Sequence, residues 1–219
     1  MEVPKELVTF NGISAIAFNK DLTQCCLSKK DKYLYVYKIT NIDSPSEWKL
    51  IHQLKSVSLF LILFFLKHFE YVSSIDWNHT TNNIISCSYD KNIFVWNYDE
   101  IKNIWKPNLV YFKSKLSLLK IKWNPLGTKF AACCAANNFI VGYYDNELNW
   151  WKGEPIKSHK SATTSINFDS TGQYVISGST DLKISITCCI IKIDDLSIKT
   201  SFDESTKVSF TLIFIVYFQ

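Results

Sequence analysis

The residues of this chain best suited to chemistry fall into two sets of serine, histidine and aspartate. His68 lies 22 residues before Asp90, and His159 lies 22 before Asp181. Each Asp has one Ser two residues upstream (Ser88, Ser179) and another four upstream (Ser86, Ser177). A hydroxyl, an imidazole and a carboxylate in contact could support nucleophilic catalysis, the carboxylate orienting the base and the base activating the hydroxyl. The duplication argues against that use. An active site is needed once, whereas a fold device recurs in every copy of a unit. These side chains are therefore expected to bond across strands, where an unpaired polar group would cost roughly 1–3 kcal/mol.

The seven cysteines offer less. Cys25/Cys26, Cys133/Cys134 and Cys188/Cys189 are adjacent pairs, Cys87 stands alone, and no Cys-x-x-Cys occurs. Neighbours on a strand point to opposite faces and cannot turn back on one ion, so no metal, cofactor or catalytic thiol is expected, and most should be small buried hydrophobes. An odd count and the absence of a signal segment before Val3 lead to the expectation of a reducing compartment, cytoplasmic or nuclear. The net charge is +4, carried by lysine without any arginine. Lacking the planar fork that reads phosphates and guanine edges, the chain is not expected to bind nucleic acid. Lys113, Lys115, Lys120 and Lys122 cluster near one strand, read here as a solvated edge. Six glycines leave little room for a phosphate loop.

The elements that must position these residues repeat. An Ile stands two residues before an aromatic four times, at Ile16/Phe18, Ile75/Trp77, Ile121/Trp123 and Ile166/Phe168, and Asn19, Asn78, Asn124 or Asp169 follows. Asp31, Asp90 and Asp181 each lie 13 residues after their aromatic. Trp77 to Trp123 is 46 residues and Trp123 to Phe168 is 45, the period of a unit of four short strands. Phe18 to Trp77 is 59, and removing residues 56–67 restores 47. Within a unit the first strand alternates up to its aromatic, a polar turn follows, the second strand is small and apolar, the third follows the Asp turn, and a fourth opens near Trp48, Trp105 or Trp150. No helix is expected. The architecture predicted is an all-β propeller, with blades at about 11–55, 68–112, 113–157 and 158–200, an insertion at 56–67 and an atypical tail over 191–219.

These units resemble WD repeats. In such a blade the resemblance implies that the turn Asp bonds the His of the outgoing loop, the His reaches a second-strand Ser, and the series ends on the third-strand Trp. Only the second unit has the full set, His68, Ser86 or Ser88, Asp90 and Trp96; the fourth has Thr187 in place of Trp and the third has Ala136 in place of Asp. Further strings are similar to one family, the WD-repeat subunit (subunit 1) of the actin-related protein 2/3 complex: Phe18-Asn-Lys-Asp-Leu-Thr-Gln, Ile75-Asp-Trp-Asn, Trp105-Lys106-Pro107-Asn-Leu-Val, and Asn149-Trp150-Trp151. That family forms a seven-bladed WD40 propeller, so four of seven blades are present, and the chain is expected to stop short after the fourth. The likeness implies a non-enzymatic scaffold that helps nucleate branched actin filaments, with the other subunits and actin filaments as partners and a cytoplasmic, cytoskeletal or nuclear location. A WD scaffold of a chromatin or trafficking complex is the alternative.

Two apolar runs, Val57 to Leu66 and Val208 to Phe218, fall outside the template. Each is too short to span a membrane as a helix, which needs about 20 residues. Both are read as translated noncoding sequence, with a hydrophobic docking loop as the rival for the first.

Overall fold

The computed structural model describes residues 12–54, 67–112 and 116–188. Residues 56–66 of the expected insertion, the tail, Lys113, Lys115 and Cys189 lie outside those residues, and of Cys188 only the backbone is described. Four antiparallel sheets account for almost all of the regular structure. The first is β1 (Ala15–Phe18), β2 (Gln24–Ser28), β3 (Leu34–Lys38) and β4 (Lys49–Leu54). The second is β5 (Val72–Trp77), β6 (Ile84–Ser88), β7 (Ile93–Asp99) and β8 (Ile104–Leu109). The third is β9 (Leu118–Trp123), β10 (Lys129–Cys134), β11 (Asn138–Asp145) and β12 (Trp150–Lys157). The fourth has three strands among the described residues, β13 (Thr163–Phe168), β14 (Tyr174–Ser179) and β15 (Ile184–Cys188). Each sheet is a meander in chain order. The one helical element among the described residues is a 3-10 turn at Pro45–Glu47, where Pro at the start fixes a helical φ before the chain enters β4.

The turns explain why the strands fold back where they do. After each aromatic, a short polar side chain bonds the backbone of the next strand or turn. Asn78 Oδ1 accepts from the N–H groups of Thr80 and Thr81 at 2.9 and 2.8 Å. Asn124 Oδ1 accepts from Thr128 and Lys129, both at 2.9 Å, and Asp169 takes the Tyr174 N–H at 2.8 Å. The reversal then needs a left-handed residue, which Gly127 (φ 69°) and Gly172 (φ 70°) supply without strain.

Packing follows the alternation. In β6, Ile84 and Ser86 face the first sheet while Ile85 and Cys87 face the third, and all are buried. Three apolar layers result, one at each seam. The first joins Cys26, Leu34 and Val36 to Trp77, Phe94 and Trp96. The second joins Ile85, Cys87 and Val95 to Ile121, Trp123 and Phe130. The third joins Ala131, Cys133, Phe139 and Val141 to Ile166, Phe168 and Val175. The first strands contact one another in series, β1 with β5, β5 with β9 and β9 with β13, so the sheets are stacked blade on blade along their inner edges. This is the β-propeller arrangement expected from the repeat, with four blades among the described residues.

Candidate functional site

In the second sheet, the loop entering β5 delivers His68 against the turn between β6 and β7. His68 Nδ1 lies 3.0 Å from Asp90 Oδ2, and Nε2 lies 2.8 Å from Ser86 Oγ. Trp96 Nε1 donates to the same hydroxyl at 2.9 Å. One assignment satisfies every atom: the indole N–H donates to Ser86, the Ser86 hydroxyl donates to His68 Nε2, and His68 Nδ1–H donates to Asp90. Asp90 also accepts the backbone N–H of Phe69 at 2.9 Å and of Asn92 at 2.8 Å. Burial alone would raise its carboxyl pKa, but the hydrogen bond from His68, with those two N–H groups, outweighs it and holds the group below the usual carboxylate value.

The contacts separate Ser86 from Ser88. Ser88 does not meet the imidazole; its hydroxyl donates to Glu70 O at 3.1 Å and accepts the Asp90 N–H at 3.1 Å, closing the turn.

The fourth sheet repeats the arrangement one strand position at a time. His159 Nδ1 stands 3.2 Å from Asp181 Oδ2, and Nε2 stands 2.9 Å from Ser177 Oγ. Asp181 takes the N–H groups of Lys160 at 2.8 Å and Lys183 at 3.0 Å, and its own N–H donates to Ser179 Oγ at 3.1 Å. Burial pushes this carboxyl up, and those N–H groups and His159 bring it below its ordinary value. Thr187 occupies the place of Trp96, and its hydroxyl lies 3.5 Å from Ser185 Oγ. Asp31 in the first sheet has no histidine beside it; it accepts from the Tyr35 hydroxyl at 2.8 Å and the Tyr33 N–H at 3.0 Å. In the third sheet the thiol of Cys134 donates to Asn138 O at 3.0 Å within the turn where the others have Asp.

These groups have the connectivity of a catalytic triad but not the access. His68 is 1% exposed, His159 7%, and Ser86 and Ser177 are wholly buried. The Ser86 hydroxyl already receives the Trp96 N–H, and no substrate carbonyl can reach it without the strands parting. What the arrangement does chemically is satisfy polar groups sealed between β6, β7 and the incoming loop.

The strings shared with the resembling family serve packing. Trp105, at the start of β8, meets Trp77 edge-on at 5.6 Å between centroids and Tyr98 at 5.2 Å. Lys106 pairs with Asp99 at 2.5 Å, and Pro107 is half-buried opposite Trp96. Trp151 in β12 repeats the cluster with Trp123 at 5.4 Å and Tyr144 at 5.4 Å, while Trp150 is 48% exposed.

Several hydrogen bonds join one sheet to the next and had no counterpart in the sequence reading. Asp76 in β5 accepts from Lys122 Nζ at 2.6 Å and from the Trp123 N–H at 2.8 Å, both in the third sheet. Ser73 donates to Leu118 O at 2.8 Å, and Asn78 Nδ2 donates to Asn124 O at 2.9 Å. Lys122 is therefore part of an inter-blade staple rather than a solvated edge. Its signal was present, since Asp76 and Lys122 each precede the unit's Trp by one residue. The described cysteines, Cys25, Cys26, Cys87, Cys133 and Cys134, are buried free thiols. Burial raises the Cys25 and Cys87 thiols to about 12, far from the thiolate that nucleophilic or redox chemistry needs. Among the described residues no three His, Cys, Asp or Glu converge as metal ligands, and no helix is long and apolar enough to cross a membrane.

The family pattern described as WD domain, G-beta repeat, matches residues 61–97 and 153–187, the stretches that hold the two His-Asp networks. Actin-related protein 2/3 complex subunit 1A-B of Xenopus laevis is 30% identical over 110 residues, 50% of this chain and 25% of that protein. Subunit 1A-A of the same frog matches to the same extent. Subunit 1A of Arabidopsis thaliana is 29% identical over 111 residues, 51% of this chain and 25% of its own length. The matched stretch thus spans about a quarter of each relative. The chain carries two stretches that match the WD repeat and is similar over half its length to subunit 1 of the actin-related protein 2/3 complex.

Proposed function

We propose that the chain is a non-enzymatic scaffold subunit of an actin-related protein 2/3 type of complex, supporting nucleation of branched actin filaments in the cytoplasm, at the cytoskeleton. The observation that carries this reading is the 110-residue match to curated subunits of that complex. The geometry favours a scaffold over an enzyme, because the only Ser-His-Asp constellations among the described residues are buried and consumed in joining strands. The subunit then works by being held: a rigid stack whose loops and edges meet other subunits and, through them, actin filaments. It needs no nucleotide, metal or other cofactor of its own.

Affinity purification of the tagged chain from its native cells, followed by mass spectrometry, tests the proposal. Actin-related proteins recovered in near-equal amount support it. A preparation that lacks them and instead returns histones or vesicle-coat proteins overturns it.

A further inference from the structure

At each of three seams, the outward face of one sheet receives the next. The positions that do this in the third sheet are Ala131, Cys133, Phe139 and Val141, none more than 4% exposed. The same register positions in the fourth sheet are Ile176, Gly178, Ile184 and Ile186: Ile176 pairs with Ile186 as Ala131 pairs with Val141, and Gly178 with Ile184 as Cys133 with Phe139. Three isoleucines thus stand where a neighbour is received. Yet Ile186 is 43% exposed, Tyr174 on the same face is 43% exposed, and Ile176 and Ile184 are only half-buried. The strand positions of this face include no charged residue. It has the composition of a seam, and among the described residues no sheet is packed on it.

We infer that this face is the docking site of the chain's own residues 208–218. The run Val208-Ser-Phe-Thr-Leu-Ile-Phe-Ile-Val-Tyr-Phe218 is free of charge and rich in β-branched and aromatic side chains, the composition that packs on a pleated surface. It follows β15 in the chain through residues 189–207, a connection that can span tens of ångströms at about 3.3 Å per residue. Area decides against a second molecule as the occupant. Three strands about 4.8 Å apart and six residues long cover roughly 300 Å², well under the ~800 Å² that each partner of a stable complex buries. A tethered segment binds at an effective concentration in the millimolar range and needs far less surface.

Amide hydrogen exchange on the full 219-residue chain, at low and high protein concentration, tests this independently of the proposed function. Residues 208–218 are expected to exchange at least about tenfold more slowly than an unstructured peptide, equally at both concentrations. Ile186→Lys should return that segment to the unstructured rate while Ile84–Ser88 stay protected. Phe214→Asp, which leaves the sheet itself untouched, should do the same and should raise exchange and dye binding at Tyr174–Ser179. Unprotected exchange of 208–218 in the unaltered chain would overturn the inference. So would protection that appears only at high concentration together with a doubled mass, which would put a second copy on the face.

Discussion

At the residue scale, the same atoms that suggest catalysis are those that close a blade. Asp90 holds one buried imidazole and two backbone N–H groups of its turn, so its loss leaves the imidazole and those donors without this partner. Asp90→Ala is expected to lower unfolding free energy by about 1–3 kcal/mol in denaturant titration, with an unchanged m-value. The effect has a pH signature. Asp90 is held below its ordinary pKa when folded, so its contribution is full above the unfolded carboxylate value of about 3.9 and is lost as pH falls through the folded value. The gap between the parent chain and Asp90→Ala should therefore be constant near neutrality and shrink below pH of about 4. Gly142 poses the opposite problem. A Cβ there would sit 1.9 Å from the ring of Phe130, which is wholly buried. Gly142→Ala should cost about 1–3 kcal/mol by overpacking, measured in the same titration.

At the element scale, the question is what keeps one sheet on the next. Apolar layers supply most of the adhesion, and Asp76, Ser73 and Asn78 set the register by reaching backbone or side chain of the third sheet. Asp76 bonds both Lys122 and the Trp123 N–H, whereas Lys122 has a partly exposed side chain. Asp76→Ala should thus destabilise more than Lys122→Ala, by about 1 kcal/mol for the additional bond, and should speed amide exchange at Trp123; equal losses would contradict the assignment. Here the limits of sequence reading show their cause. The Ile-x-aromatic period and the Asp turns were legible because they recur at fixed spacing. The Asp76–Lys122 staple, although each residue stands one before its unit's Trp, could be read only by knowing which strands meet across a seam rather than from order along one strand. Ser86 and Ser88 could not be separated by alternation, since residues two apart share a face. Only their depth separates them: Ser86 is mid-strand opposite the imidazole, while Ser88 is at the turn.

At the scale of the whole molecule, four stacked sheets read as a rigid body whose polar interior is committed to its own cohesion. The alternation of small residues on second strands, such as Ala131, Ala132 and Cys133, was legible as a strand pressed between neighbours, and all three are wholly buried. The terminal strings, by contrast, fall where no repeat guides the reading. If the polar networks are joints and not reactive centres, then loss of a histidine must act through folding alone. The decisive measurement is therefore paired: thermal unfolding and recovery of actin-related proteins in affinity purification, for His68→Ala, His159→Ala and the double variant. The account predicts that recovery falls only in step with the folded fraction at the temperature of the experiment. A variant that melts like the parent chain yet abolishes association or any associated activity would contradict it.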